Sequence, residues 1–307
     1  MGNNTPTPGR RLRDAMDRGC VMAPGAFNGL AARAVARAGF EAAYVSGGAT
    51  SAAAGVPDVG LLTLDRFAAT VREVVSGTVL EPGGDPLPVL ADADTGFGEE
   101  EMARRTVLEY QRAGAAGLHL EDQVFPKRCG HLDGKTLVDL DHAASKIEWA
   151  VQAASESSDP DFVVCARTDA KGVTGMDDAI ARATRYAQSG ASMIFPEGLH
   201  DEGEFAAFAR AMAGVTVAGR DHPPYLLANM TEFGKTPLIP HARFAELGYR
   251  IVIYPVSSLR AAMGAVERML AALKRDGGVD AVLGEMQSRT DLYDLLGYTP
   301  GQPWAHR

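Results

Sequence analysis

A parallel (β/α)8 barrel of the TIM type is the fold class this sequence predicts, and three observations predict it. Eight short apolar, β-prone runs alternate with alanine-rich segments of helical periodicity along 307 residues. Several helical segments end on a glycine just before the next run, at Gly39, Gly114, Gly190 and Gly248, where glycine takes a left-handed cap at little cost. No Gly-x-Gly-x-x-Gly opens a helix, which argues against the open, doubly wound alternative. The segment Ala113-Gly114-Ala115-Ala116-Gly117 precedes a strand instead.

Taken in order, strands are expected over 21–23, 42–46, 87–91, 117–120, 162–167, 193–195, 225–229 and 251–254. The intervening segments carry apolar residues at helical spacing, as in Leu30, Val35 and Ala38, or Ile180, Ala183, Tyr186 and Ala187. Two Gly/Pro-rich patches, 81–88 and 214–224, read as surface loops. After Asp276-Gly277-Gly278, helical pieces over 279–286 and 290–296 fall outside the eightfold alternation. They cover the barrel or pack on a neighbouring subunit. The expected organisation is one barrel domain over 1–307, with 277–307 as a C-terminal helical extension.

Composition narrows the function classes. Apolar residues at 46% and charged residues at 22% suit a soluble globular protein. The 30 basic and 39 acidic residues leave a net charge of −9, which argues against nucleic acid. An anionic substrate would need cations concentrated locally. Residues 1–13 are polar and lack the apolar core of a signal peptide, and no run is long enough to span a bilayer. Three dispersed cysteines offer no disulfide framework and suit a reducing cytoplasm.

Catalytic groups in such barrels come from the C-terminal ends of strands, and polar residues accumulate there. They are Tyr44 with Ser46-Gly47-Gly48, Asp92 with Asp94, Glu121-Asp122, Arg167-Thr168-Asp169, Pro196-Glu197, Asn229-Met230-Thr231, and Pro255 running towards Arg260. Asp92 and Asp94, two apart on extended chain, should face the same way, with Glu121 on the adjacent strand. Three hard oxygen donors without His or Cys suit Mg2+; the alternative is that the two aspartates cap the helix beginning near Glu99. Arg167 and Arg260 could hold carboxylates bidentately. Ser46-Gly47-Gly48 offers backbone N–H groups to an anion. His119 shares a face with Glu121 and reads as a hydrogen-bonded barrel histidine. Between strand four and the next helix lies Lys127-Arg128-Cys129-Gly130-His131. There the flanking cations should lower the thiol pKa of Cys129, and His131 either orients the loop or touches substrate. No second Cys/His pair has zinc spacing.

These residues carry a resemblance. Glu121-Asp122-Gln123 followed by Lys127-Arg128-Cys129-Gly130-His131 is similar to the signature of the isocitrate lyase and phosphoenolpyruvate mutase superfamily. Ser46-Gly47-Gly48, Pro57-Asp58, Asp92-Ala93-Asp94-Thr95-Gly96, Ala166-Arg167-Thr168-Asp169, Phe195-Pro196-Glu197, 228–234, Tyr254-Pro255 with Arg260, and Met286-Gln287-Ser288-Arg289 look like its 2-methylisocitrate lyase branch. The match covers about residues 12–298. The resemblance implies an Mg2+-dependent carbon–carbon lyase giving pyruvate and succinate. It further implies Asp94 as direct metal ligand, with Asp92, Asp58 and Glu121 acting directly or through waters. Tyr44, helped by Arg167, takes the hydroxyl proton, and Cys129 donates a proton to the succinate carbanion. Ser46, Gly47, Gly48, Gly130, His131, Arg167, Glu197, Asn229, Thr231, Arg260 and Arg289 bind substrate. A last helix exchanged between subunits of a homotetramer is also implied. Sister enzymes act on dimethylmalate, oxaloacetate, isocitrate or phosphonates. The 214–224 loop is longer than usual for such relatives.

Overall fold

Strand alternation sorts the side chains of this chain into two cores, and the division positions everything else. The computed structural model describes residues 5–304 apart from positions 131 and 133. Its strands are β1 (Val21–Pro24), β2 (Ala43–Val45), β3 (Val89–Asp92), β4 (Gly117–Glu121), β5 (Val163–Thr168), β6 (Met193–Pro196), β7 (Tyr225–Asn229) and β8 (Ile251–Tyr254). All ladders are parallel, in the order β1-β8-β7-β6-β5-β4-β3-β2. One parallel bridge, Gly25 to Tyr44, closes the ring between β1 and β2. The eight expected strands are all present, so the (β/α)8 reading holds.

The helices are α1 (Pro8–Arg18), α2 (Gly29–Arg37), α3 (Gly47–Ala53), α4 (Leu64–Gly77), α5 (Glu100–Arg112), α6 (Leu140–Ser155), α7 (Met176–Gln188), α8 (Glu202–Met212), α9 (His241–Glu246), α10 (Ser257–Asp276) and α11 (Arg289–Leu296). Two lie between β2 and β3, because Ser46 leaves the strand and caps α3 through its hydroxyl. The glycines expected before strands do take positive φ, +83° at Gly39, +89° at Gly114, +95° at Gly190 and +90° at Gly248.

Residues of one parity, such as Val45, Ala91, Leu118, Val164 and Val252, pack outward beneath the helices. Those of the other parity, Leu90, Val163, Cys165, Met193, Leu227 and Ile251, fill the barrel interior. At the N-terminal end of the strands that interior is sealed by α1, whose Leu12, Ala15 and Met16 join it. Proline at the first turn and a Thr7 side-chain cap start α1. Towards the C-terminal ends the same inward parity becomes polar: Tyr44, Asp92, His119, Glu121, Arg167 and Asn229. The mouth of the barrel is therefore chemical while its floor is oil.

The C-terminal extension differs from the helices of the ring. Of the 20 residues of α10 only Ala272 is buried, and Met263, Leu270 and Leu273 are exposed. The piece expected over 279–286 is a 3-10 helix, Asp280–Glu285. Helix α11 lies on α2 of its own chain, where Arg33 donates to the Leu295 carbonyl and Arg37 pairs with Asp294 at 3.0 Å.

Leu12 is fully buried in the interior cluster, so Leu12→Ala should destabilise the chain by about 2–5 kcal/mol through the cavity it leaves. Urea unfolding measures this, and a loss below about 1 kcal/mol would show that α1 does not seal the floor.

Candidate active site

The inward-facing residues at the strand ends surround a cavity of about 140 Å3 at the barrel mouth. Tyr44, Ser46, Gly48, Asp58, Asp92, Cys129, Gly130, Arg167, Glu197, Asn229, Thr231 and Arg260 all line it, with Phe195 and Pro255. Asp94, Glu121 and Gly47 stand one contact further in. A larger cavity, about 600 Å3, lies outside the mouth between α4, α5 and α6 and contains none of these groups.

Register explains the neighbours. Asp92 lies beside His119, Glu121 beside Arg167, and Arg167 beside Phe195. Asp92 and Asp94 converge by a route other than the extended chain that their spacing suggested. The strand stops at Asp92, Asp94 takes φ +45°, and the Asp92 carboxylate accepts from the Asp94 amide at 2.9 Å. Neither caps α5, whose N-cap is Glu99. The Gly47 amide donates to Asp92 Oδ2 at 3.0 Å. A Cβ at Gly47 would sit 2.6 Å from that oxygen, so glycine there lets the backbone hold the carboxylate.

At the centre of the acids sits the ammonium of Lys127, which is 2% exposed. Its Nζ contacts Asp58 and lies 2.8 Å from Asp94 Oδ1. Burial alone would lower the Lys127 pKa, but Glu121, Asp94, Asp92 and Asp58 outweigh it and keep the group charged. The acids respond unequally. Burial, with Asp92 adding repulsion, pushes Asp94 up to about 6 despite Lys127. Burial also raises Glu121, against Arg167 and Lys127. For Asp92 burial works against the charge, but His119, Lys127 and Arg167 hold it below the ordinary carboxylate value.

The donor set fits a hard divalent cation. It consists of oxygens alone; among the described residues both Glu121 oxygens and Asp94 Oδ1 are buried without an aligned hydrogen bond, with Arg167 and Lys127 as their ion-pair neighbours. The Lys127 ammonium stands where positive charge is required. The carboxylates nevertheless do not close into a cage around it. Among the described residues, one set of His, Cys, Asp or Glu groups brings three ligand atoms within 4.8 Å of one another, and it is Glu99, Glu100 and His142. That set lies outside the mouth and is partly exposed; His142 is bonded to Glu99 at 2.6 Å.

Tyr44 is buried, and its hydroxyl meets His119 Nε2 at 2.7 Å. Burial, then the Asp92 charge, raises the phenol pKa well above its ordinary value. Burial pushes His119 down to about 4, so the imidazole is neutral at neutral pH, as expected for a hydrogen-bonded barrel histidine. Its Nδ1 lies 3.6 Å from Asp92 Oδ1 without bonding alignment.

The arginines are placed differently from one another. Arg167 is buried with its fork occupied: Asp169 accepts from Nε at 3.0 Å and from Nη2 at 3.1 Å. Its Nη1 lies 3.1 Å from Glu121, Nη2 lies 3.8 Å from Glu197, and its charge sits over Phe195. Arg260 lies at the rim, paired with Glu232 at 3.2 Å and stacked on Phe233. Arg289 is exposed at the start of α11 and does not line the cavity. Asn229 donates to Glu197 at 3.2 Å, and its Oδ1 is buried without a partner.

Over this ring lies the 127–130 segment. Gly130 packs so closely that a Cβ there would stand 2.5 Å from Arg167 Nη2 and 2.6 Å from Glu197. Lys135 bonds the Gly130 carbonyl and pairs with Asp169 at 2.8 Å. His131 lies outside the described residues. Reading the segment in sequence pairs Lys127 with Cys129; the fold sends that ammonium to Asp58, a residue 69 positions away. Asp122 was likewise legible only as a polar strand end, yet it is buried and accepts from Thr168 at 2.7 Å, the Asp169 amide at 2.9 Å and Tyr186 at 2.9 Å.

Comparison with known proteins completes the description. The family model described as phosphoenolpyruvate phosphomutase matches residues 12–274. A protein of Corynebacterium glutamicum named probable 2-methylisocitrate lyase 1 is 50% identical over 275 residues, covering 90% of this chain and 84% of that one. The 2-methylisocitrate lyase of Bacillus subtilis is 43% identical over 289 residues, 94% of this chain and 88% of that one. Among solved structures, 2,3-dimethylmalate lyase superposes with a TM-score of 0.84 at 36% identity, covering 95% and 92% of the two chains. Phosphonopyruvate hydrolase in complex with oxalate and Mg2+ superposes at 0.79 and 32% identity, covering 95% of each. With the barrel, the acid ring and the Cys129 segment in place, this chain belongs to the phosphoenolpyruvate phosphomutase family.

Proposed function

We propose that this chain is a carbon–carbon lyase that cleaves 2-methylisocitrate to pyruvate and succinate by Mg2+-dependent retro-aldol (Claisen-type) chemistry. One juxtaposition carries the reading: Cys129 lines the same cavity as Tyr44, Asp92 and Arg167. The names of its 50% and 43% identical relatives support the substrate. Asp94 would hold Mg2+ directly, with Asp92, Asp58 and Glu121 acting directly or through waters. Bound there, the metal would supply Lewis-acid stabilisation of the oxygen that becomes the pyruvate carbonyl.

The protein's own residues divide the remaining work. Tyr44 enters as a phenol, so it takes the substrate hydroxyl proton as its own proton passes to neutral His119. The carbon–carbon bond then breaks, its electron pair goes to the succinate half, and the new carbonyl belongs to pyruvate. Cys129 gives that carbanion a proton as general acid. Arg167, its fork held by Asp169, lines the cavity and lends its positive charge there, and Asn229 Oδ1, Thr231 and Glu197 offer polar contacts. Ser46 and Gly48 line the opposite wall, while the Gly47 amide holds Asp92. Arg260 meets a substrate carboxylate by exchanging its Glu232 partner. The exposed apolar side chains of α10 and the solvent-facing Arg289 support a C-terminal helix exchanged between subunits of a homotetramer. We place the chain in the cytoplasm, in keeping with three cysteines that suggest no disulfide framework.

Coupled assays for pyruvate and succinate test the substrate on a panel of 2-methylisocitrate, isocitrate, 2,3-dimethylmalate and oxaloacetate. The highest kcat/KM is expected for 2-methylisocitrate. Rapid oxaloacetate hydrolysis with no turnover of 2-methylisocitrate would sink the assignment. Cys129→Ser should cut kcat by about 10²–10⁴-fold, the range general acids supply, while calorimetry still detects Mg2+-dependent ligand binding. Near-normal turnover in that variant removes Cys129 as proton donor. A chelator should stop the reaction and added Mg2+ restore it; metal-independent turnover refutes the carboxylate assignment.

A further inference from the structure

At the opposite end of the barrel from the acid ring, a cavity of about 360 Å3 is lined by Arg13 and Arg220 together with Ser155, Phe162, Gly190 and Ser192. Arg13 comes from α1 and is 4% exposed. Its Nε donates to the Asp161 carbonyl at 2.7 Å, and its Nη2 donates to Ser192 Oγ at 3.0 Å and to the Phe162 carbonyl at 3.4 Å. Among the described residues its Nη1 is buried without an aligned hydrogen bond, a rare state for a buried guanidinium nitrogen. Nearby compensation is partial: Asp161 Oδ1 lies 3.9 Å from Nε and is 34% exposed, and the Tyr225 hydroxyl, which faces Arg13, gives its proton to Asp17 at 2.7 Å.

Arg220 is half-buried and makes no ion pair or side-chain hydrogen bond among the described residues. It stands on the long 214–224 loop, which the active site does not use. That loop is anchored: Val217 is buried, the Ala218 amide donates to the Ala187 carbonyl at 3.0 Å, and the Arg220 amide donates to the Val217 carbonyl at 3.0 Å. Gly219 supplies the left-handed turn at φ +73°. Two arginines thus line one cavity, Arg13 held by its hydrogen bonds and Arg220 carried on an anchored loop, and burial and then the Arg220 charge lower the Arg13 pKa. A cleft lined by one sign of charge concentrates the opposite sign.

We propose that Arg13 and Arg220 form an anion site for a phosphate group, carried either by free phosphate or by a small phosphorylated metabolite. A phosphate dianion matches the two positive charges and offers enough oxygens for two guanidinium forks. The Ser192 hydroxyl, already accepting from Arg13, has its proton to give the same anion. The cavity exceeds the size of phosphate alone, and Val151, Val164 and Phe162 in its wall suit an organic remainder. Occupation pins the 214–224 loop to α1, the helix that seals the barrel floor. The site is independent of the lyase reading.

Thermal unfolding of the full chain, in phosphate and in chloride at equal ionic strength, tests it. Phosphate in about tenfold excess over its Kd should raise the midpoint by roughly 2–4 °C. Arg220→Gln should lose that shift while keeping its midpoint in chloride and its turnover, and Arg220→Lys should recover part of it. A larger shift with glycerol 3-phosphate than with phosphate at the same concentration identifies an organic phosphate as the better ligand, and an equal shift identifies free phosphate. An undiminished shift in Arg220→Gln, or no shift beyond chloride in the unaltered chain, overturns the proposal.

Discussion

The structure depends on holding a crowd of carboxylates together inside a protein. Asp58, Asp92, Asp94, Glu121, Asp169 and Glu197 converge on one barrel mouth, and all but Asp58 are buried. Moving an isolated carboxylate out of water costs several kcal/mol even after relaxation, so the arrangement is tolerable only with cations among them. Lys127, Arg167 and, at Asp169, Lys135 supply that charge. Arg167 is held by Asp169 and reaches Glu121 and Glu197; Lys127 reaches Asp58 and Asp94. Three cations, Lys127, Arg167 and Lys135, facing six carboxylates leave the mouth short of positive charge. The excess appears as the raised pKa values of Asp94 and Glu121. A divalent cation among these oxygens would relieve it.

That concentration of acid is possible because the rest of the barrel asks nothing of it. Period-two alternation gives each strand one inward row, and the lower part of each row is apolar: Val163 and Cys165 stand below Arg167, Leu90 below Asp92, Leu227 below Asn229. Helix α1 closes the floor with Leu12 and Met16. Stability is thereby drawn from one end of the barrel and chemistry from the other, which lets the mouth carry unfavourable charge. Tyr110 links the two cores, because its hydroxyl donates to the Asp92 carbonyl at 2.6 Å from within the helical layer. The residue that positions the acids is in turn positioned by α5.

Much of this was legible in the sequence because it is local. Strand positions came from short apolar runs, the helix ends from Gly39, Gly114, Gly190 and Gly248, and the polar ring from the residues at the C-terminal end of each strand. The features that the sequence concealed are long-range or conformational. Lys127 reads as a neighbour of Cys129 until a contact spanning 69 positions takes its ammonium to Asp58. Asp94 reads as extended chain because nothing in Asp-Ala-Asp announces a positive φ. The fork of Arg167 reads as available for substrate, although Asp169, two residues on, is placed by the turn after β5 to occupy it. The partnership of Tyr44 with His119 joins strands that are not adjacent and meet only across the barrel interior. Arg289 shows the converse: its motif resembles the family, but its place in space depends on where α11 packs, which no local pattern specifies.

The short segment 127–130 ties charge balance to proton delivery. Lys127 faces down into the acids, Cys129 lines the cavity, and Gly130 lies against Arg167 and Glu197, all within four residues of backbone. Lys127 fastens the start of the segment to Asp58 and Asp94, and the close approach of Gly130 to Arg167 leaves no room for a side chain at its end. Lys135 adds a second tether, from the Gly130 carbonyl to Asp169, the same carboxylate that fixes Arg167. The segment that carries the thiol is thus fastened to the ring beneath it at three points: Lys127, Gly130 and, through Lys135, Asp169.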